Sequence, residues 1–227
     1  MLKRLGGILM QTSIETYWNN NPCTSYNVNF PFSDYAGKKV LEIGCGGGMD
    51  AFMFCKRGAD YTGIDLTDKA VEITKKRIHG FGQTMKMNAE YLDFPDNYFD
   101  LVYSFGVIHH TVNPNIVIKE IHRVLKIGGK FYVMLYNKFS FRYLVEIPIL
   151  RRILWFLHYY KFNKIRKVIP HPTKEQWLSI NTDNIGCPMS RAYTKKEAEG
   201  LFKEFRFVKS YVMQGTFGWF RIIEGIK

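Results

Sequence analysis

A chain of 227 residues that is 46% hydrophobic and 23% charged can bury a core of its own. That excludes an intrinsically disordered chain and makes a disulfide or metal staple unnecessary. The length is short for two full domains, no apolar run approaches the ~18 residues of a membrane-spanning helix, and a formal charge of +12 points to anionic surroundings.

Residues 1–10 carry Lys3 and Arg4 ahead of an apolar stretch too short for a signal-peptide core, so a cytoplasmic protein is expected. The region 39–43 is a short apolar run closed by glycines and reads as a buried strand. A helix is expected over 51–57 and a second strand over 61–65. Another helix follows over 67–78, with Thr67 as its N-cap and Val71, Thr74 and Ile78 on one side. A short strand near 85–88 and a strand over 99–105 come next. Pro114 opens a helix over 113–125, Gly128 and Gly129 stop it, and a strand follows over 130–136. Strands and helices in alternation imply a parallel sheet covered on both faces and wound by right-handed crossovers. Val40-Leu41 and Leu101-Val102 suit strands buried on both sides.

The stretch 138–191 breaks the alternation and reads as an inserted helical cap forming a lid over an acceptor. Leu150, Ile153, Leu154 and Leu157 follow helical spacing, with Arg151, Arg152 and His158 off that stripe; Trp155, Phe156, Tyr159 and Tyr160 add aromatic bulk. From Lys138 to Glu175 there are nine lysines and arginines against Glu146 and Glu175. Such a field favours a phosphorylated ligand, a lipid surface or nucleic acid, and a basic amphipathic helix is also what a membrane-surface contact looks like. Thr194 and Glu197 form a capping box ahead of the next helix, and 207–213 and 217–223, around Gly215, read as closing strands.

The four cysteines Cys23, Cys45, Cys55 and Cys187 form no CxxC and no zinc-like spacing, so reduced thiols and no metal are expected. The site-forming signal is Glu42-Ile43-Gly44-Cys45-Gly46-Gly47-Gly48 at a strand-to-helix turn, where glycines let backbone approach a ligand. A dinucleotide fingerprint would place a third glycine where Met49 stands. The close helix packing a pyrophosphate needs is therefore missing, and a nucleoside without phosphates fits better. Asp65, 21 residues after Gly44, ends the second strand, where a carboxylate can accept both ribose hydroxyls.

With Gly63-Ile64-Asp65-Leu66, Asn88-Ala89-Glu90-Tyr91-Leu92-Asp93-Phe94, the run from Asp100 to His110, and Arg123-Val124-Leu125-Lys126-Ile127-Gly128-Gly129, the sequence resembles the class I S-adenosylmethionine (SAM)-dependent methyltransferases. The likeness is to the small-molecule, type 11/12 group and runs from about 38 to 136. It implies a Rossmann-like, doubly wound, seven-stranded and mostly parallel sheet with one antiparallel strand, plus the helical insertion, and SAM as cofactor. By the resemblance Glu42 lies near the methionine amino group, and Gly44, Cys45, Gly46 and Gly48 line the methionyl and ribosyl part. Asp65 and Leu66 meet the ribose, while Asn88, Ala89 and Glu90 edge the adenine. Ser104 and Phe105 offer backbone to the methionine end. Residues 1–36 cover the cofactor, with Tyr17 and Trp18 turning an aromatic face to the sulfonium, or form an N-terminal helix that packs on the sheet instead. Asn88 replaces an acid of the family pattern and Asp93 a proline; Asn88 keeps a carbonyl oxygen for the adenine amino group.

Moving a methyl group from a sulfonium is chiefly a matter of alignment, with a proton to remove when the acceptor is a hydroxyl. His109 and His110 follow the fourth strand and either can act as the base; the resemblance favours His110. A histidine that shapes the pocket or caps the next helix is the plainer alternative. A small-molecule hydroxyl acceptor is expected, anionic or lipid-linked, with peripheral contact to a membrane through the basic insertion. An RNA- or DNA-directed enzyme fits less well: Ser104-Phe105-Gly106-Val107 stands where base-amino methylation puts an Asn/Asp-Pro-Pro-Tyr motif, and no RNA-binding module is visible. A non-catalytic SAM-binding module and a nicotinamide oxidoreductase complete the alternatives, with Met49 against the latter. The oligomeric state is open.

Overall fold

The structure is a computed structural model that describes residues 2–21, 30–157, 170–182, 187–214 and 217–227. The expectations placed on Cys23, His158 to Tyr160, Lys161, Lys164, Arg166, Lys167 and Gly215 lie outside these residues.

A long helix, α1 (Leu2–Asn20), precedes a 3-10 turn at Phe32–Tyr35. Then come β1 (Lys39–Ile43), α2 (Met49–Lys56), β2 (Asp60–Asp65), α3 (Asp68–Arg77), β3 (Gln83–Lys86), β4 (Phe99–Phe105), a 3-10 turn (Ile108–His110), α4 (Pro114–Val124) and β5 (Leu125–Asn137). The cap follows as a π-helix (Arg142–Leu150), α5 (Arg151–Phe156) and α6 (Lys174–Thr182). The chain closes with β6 (Ala192–Tyr193), α7 (Lys195–Leu201), β7 (Arg206–Val212) and β8 (Phe220–Ile226). The sheet order is β3-β2-β1-β4-β5-β8-β7, with β8 antiparallel to β5 and β7 and the other neighbours parallel. This is the expected doubly wound sheet of seven strands with one reversed; β6 adds two parallel residues beside the end of β5.

Strand alternation sorts the core into two faces. Leu41 and Val102 point into an aliphatic layer with Val117, Ile121 and Val124 of α4. Val40, Leu101 and Tyr103 point into an aromatic layer with Phe30, Phe32, Phe54 and Tyr61. Thr67 caps α3 by accepting from the Ala70 N–H at 3.3 Å, and the capping box of Thr194 and Glu197 is present.

Several boundaries move, and α2 begins two residues earlier than expected. β3 begins two residues earlier than expected. α4 ends at Val124, and the chain passes directly into β5. Gly128 and Gly129 therefore lie within β5, in the bulge between the Phe99–Leu125 and Leu101–Lys130 pairs. β8 starts at Phe220, three residues later than expected. The cap departs most. Leu150, Ile153, Leu154 and Leu157 face outward, Leu157 with 72% of its surface exposed. The buried side is built from Ile147 and Trp155, which pack on Trp177 and Ile180 of α6. Pro148 sits inside the wide-turned helix, where its missing N–H and its ring disfavour a regular α-turn.

Candidate functional site

A cavity of about 380 Å³ opens beyond the carboxyl ends of β1, β2, β4 and β5, where ligands sit in open α/β sheets. Its floor is the turn after β1. Gly44 and Gly46 hold φ of +81° and +51°, and a Cβ on Gly44 would overlap the Val107 side chain. Only glycine meets both conditions. The Gly44 and Cys45 N–H groups donate to the Ile64 carbonyl at 2.8 and 3.0 Å, stapling the turn to β2.

Asp65 is the hub of this end. Its Oδ2 accepts from the Gly46 N–H at 3.1 Å, and its Oδ1 accepts from the Thr67 N–H and hydroxyl at 3.0 and 2.9 Å. These fill three of about four lone-pair sites. Burial pushes its carboxyl up, opposed by those donors. Below it lies Glu42, 3% exposed, which accepts from the Tyr61 hydroxyl at 2.5 Å. Burial, then the charge of Asp50, pushes the Glu42 carboxyl well above the ordinary range, against the pull of the Tyr61 hydrogen bond. Asp50, from the first turn of α2, accepts from the Tyr103 hydroxyl at 2.7 Å. Cys45 also lines the cavity; burial raises its thiol well above the usual value, which leaves it a poor nucleophile. Leu66, Asn88, Ala89 and Phe105 complete this wall. The Asn88 Oδ1 accepts from the Glu90 N–H at 3.0 Å, so that oxygen is shared between the loop and any base it meets.

Five expected residues lie outside the lining. Gly48, at φ +73°, packs on α3, where a Cβ would come within 2.8 Å of the Thr74 Cα. Glu90 caps α4, accepting from the Asn113 N–H and side-chain amide at 2.9 and 2.8 Å. Ser104 is fully buried and donates to the Ile43 carbonyl at 3.1 Å. His109 is fully buried with its ring 3.8 Å from that of Tyr136. Tyr17 stands edge-on beside Trp18; helical spacing puts Gln11, Ile14 and Trp18 on the face of α1 that meets the cavity, and Tyr17 falls beside it.

His110 does line the cavity, edge-on to Trp18 at 5.1 Å. Its Nδ1 lies 2.6 Å from the Met189 carbonyl oxygen. A carbonyl only accepts, so Nδ1–H donates, and the lone pair of the neutral ring sits on Nε2.

The sequence reading passed over Asp50, Tyr136, Trp219, Phe220 and Arg142, all of which line the cavity. Tyr136 is the last residue but one of β5, and the antiparallel register Tyr136–Phe220 delivers Trp219 and Phe220 to the same edge. Only the sheet pairing could have found them. Arg142, from the cap, lies 5.0 Å over the Trp219 ring and is the one lysine or arginine among the described lining residues.

A family model described as a methyltransferase domain matches residues 41–133. The ubiquinone biosynthesis O-methyltransferase of Dechloromonas aromatica is 35% identical over 117 residues, covering 49% of this chain and 50% of that protein. The protein of the same name from Idiomarina loihiensis is 30% identical over 108 residues, covering 45% and 44%. The chain thus spans about half the length of the curated relatives it matches. Among solved structures, a SAM-dependent methyltransferase of Methanosarcina mazei aligns with a TM-score of 0.60 at 18% identity, over 87% of this chain and 97% of that one. The [4+2]-cyclase SpnF aligns with a TM-score of 0.59 at 15% identity, over 97% and 95%. These two likenesses show the fold alone. Residues 41–133 thus match a methyltransferase domain, and the fold is one shared with SAM-dependent methyltransferases. The match implies S-adenosyl-L-methionine as the cofactor. The floor suits that group: Glu42, Asp50 and Asp65 give carboxylates to a cationic nucleoside, and the cradle at Gly44 has no room for a side chain.

Proposed function

We propose that this chain transfers a methyl group from SAM to a hydroxyl of a small-molecule acceptor that is anionic or lipid-linked. The observation that carries the reading is the division of charge in one cavity. Its carboxylates belong to β1, α2 and β2, its one Lys or Arg comes from the cap, and His110 lines it too. The relatives named O-methyltransferases support oxygen as the methylated atom.

When bound, SAM supplies an electrophilic methyl group on a sulfonium. Asp65 would take a ribose hydroxyl beside its protein donors, Glu42 and Asp50 would complement the cationic end, and Asn88 and Ala89 would border the adenine. Trp18 and the cap exclude water. His110 takes the acceptor's proton at Nε2, which its Nδ1–H bond to Met189 leaves non-protonated. Arg142 and Trp219 receive an anionic, partly apolar acceptor.

The outer face of the cap supports contact with an anionic membrane surface. Phe139, Phe141, Leu144, Ile149, Phe156 and Leu157 are each more than half exposed, in a stretch rich in arginine and lysine. No helix among the described residues is long and apolar enough to cross a membrane. A cytoplasmic enzyme that touches the bilayer from one side fits both facts.

The test is release of demethylated cofactor across phenols, sugar nucleotides, quinones and carboxylates. Asp65→Ala should abolish release, and wild-type activity in that variant overturns the ribose site. His110→Ala should lower turnover about 100-fold with cofactor affinity kept; unchanged turnover removes it as the base. Sedimentation with phosphatidylglycerol vesicles should carry the protein down, and phosphatidylcholine vesicles should not. Equal partition with both removes the membrane contact.

A further inference from the structure

The segment that returns from the cap is clasped to the loop that carries His110. Its residues 187–191 make five polar contacts with that loop. The His110 Nδ1–H donates to the Met189 carbonyl at 2.6 Å. Cys187, fully buried, sets its Sγ 3.6 Å from the same Nδ1 and 3.3 Å from the same carbonyl. The Arg191 N–H donates to the His109 carbonyl at 3.0 Å. The Arg191 guanidinium forks, Nη1 to the Thr111 carbonyl at 2.6 Å and Nη2 to the Val112 carbonyl at 3.1 Å.

The physics of this clasp is specific. The turn Ile108–His110 ends with carbonyls that no following turn can satisfy. One arginine takes the His109 carbonyl of the turn and the Thr111 and Val112 carbonyls just after it, through one backbone N–H and two arms of its guanidinium, and its charge suits the negative end of the turn. Directly after Arg191, β6 pairs with the end of β5, and the Lys138 N–H donates to the Tyr193 carbonyl at 2.9 Å. The point where the chain leaves for the cap and the point where it returns are thus held side by side, next to His110. The Met189 carbonyl stays opposite the imidazole only while this junction is closed.

We infer that Arg191 is a positioning residue: by clasping the His109–Val112 backbone to the segment returning from the cap, it keeps the Met189 carbonyl on Nδ1 and so holds His110 in the tautomer and orientation that a base requires. The inference rests on the reading of His110 as the acceptor base. A neutral imidazole freed of such a partner exchanges its proton between both nitrogens and rotates, and the lone pair then faces the acceptor only part of the time. Arg191 thus acts on the base through the Met189 carbonyl, with no contact of its own to the reacting atoms.

The experiment uses the full chain, labelled with ¹⁵N-histidine, with S-adenosylhomocysteine bound. The signals lost in His110→Gln identify His110. Wild type should show a protonated Nδ1 and a non-protonated Nε2 at neutral pH. In Arg191→Ala the two nitrogen signals should move toward each other as the tautomers average, while calorimetry finds S-adenosylhomocysteine affinity within about threefold of wild type, because the cofactor floor is untouched. Arg191→Lys keeps the charge and the backbone N–H but cannot fork to two carbonyls. It should shift the signals part of the way and lower kcat about tenfold at an unchanged KM for SAM. If Arg191→Ala does not fold, seen as lost cofactor affinity, Arg191→Lys decides. A wild-type Nδ1–H pattern in the folded variant overturns the inference. If the tautomer averages but turnover is wild-type in both Arg191→Lys and His110→Gln, the clasp stands and the reading of His110 as base fails.

Discussion

The two ends of the cavity are built in different ways. The proposed cofactor end comes from one stretch, residues 42–67, in which Asp65 accepts from Gly46 and Thr67 and Ile64 accepts from Gly44 and Cys45. Its ties are short in sequence and mostly to backbone. The proposed acceptor end is assembled from distant pieces: Tyr136 beside Trp219, Arg142 over Trp219, His110 on Met189. There the cap leaves large apolar side chains in solvent, whereas Leu41, Ile43 and Ile64 at the cofactor end are almost fully buried. One end is therefore a stiff receptor made early in the chain, and the other depends on the cap seating correctly on the aromatic layer of the sheet. Free energies of local opening should differ accordingly.

The largest expected effect breaks the stiff end at its tightest point. Gly44→Ala would place a methyl group against Val107 at φ +81°. Overpacking and left-handed strain together cost up to ~5 kcal/mol, and the added methyl occupies the cavity floor. SAM binding by calorimetry should fall below detection. Gly58 provides the contrast: it has φ +83°, but nothing lies within 4 Å of its would-be Cβ. Gly58→Ala should cost only the strain, about 1–2 kcal/mol, with SAM affinity kept. Equal losses in the two variants would mean that the space at Gly44 does not matter.

A second change separates the ends. Trp177 is 3% exposed, stands edge-on to Trp155 and donates its indole N–H to the Ile147 carbonyl at 3.0 Å. Trp177→Ala should cost the cap about 3 kcal/mol through the cavity and the lost hydrogen bond. Hydrogen exchange should quicken over residues 142–156, the methyl-transfer rate should drop, and SAM affinity should change little. A parallel loss of SAM binding would show that the two ends are one cooperative unit.

The same contrast decides what the sequence could show. β1 and β4 were legible to the residue because each is a continuous apolar run bounded by turn residues. The Asp65 site was legible because its partners are near neighbours in the chain. The cap was read inside out. Leu150, Ile153, Leu154 and Leu157 do follow helical spacing, but periodicity reports one apolar face and not what covers it. The face that packs, Ile147 and Trp155, is narrower and is interrupted by Pro148. Glu90 and Ser104 carry family positions yet serve the scaffold here, one capping α4 and the other tying β4 to β1. Tyr136, Trp219 and Phe220 become neighbours only through an antiparallel register about 84 residues apart in the chain, a pairing no local pattern encodes.

The smallest effect tests the charge stored at the stiff end. In the unfolded chain the Glu42 carboxyl ionises near its ordinary value of 4.5, and in the fold burial holds it well above that. Between the two values the native protein keeps a proton that the unfolded chain has released. Stability of the cofactor-free protein must then fall as pH rises through that window, by at most about 1.4 kcal/mol per pH unit. Asp65, also raised by burial, adds in the same direction from a lower starting point. Asp100, Glu120 and Glu197 are lowered; they stabilise above their ordinary values and act on the acid side of the window. Glu42→Gln can still accept from Tyr61 and cannot ionise. Thermal melts from about pH 5 to about pH 8 should therefore slope more steeply downward in wild type than in the variant. A cationic cofactor favours the ionised carboxyl, so SAM affinity should climb with pH over the same window in wild type and stay flatter in Glu42→Gln. Identical slopes would mean that Glu42 ionises as an ordinary surface acid does, and the stiff end would then owe its selectivity to shape and to Asp65 alone.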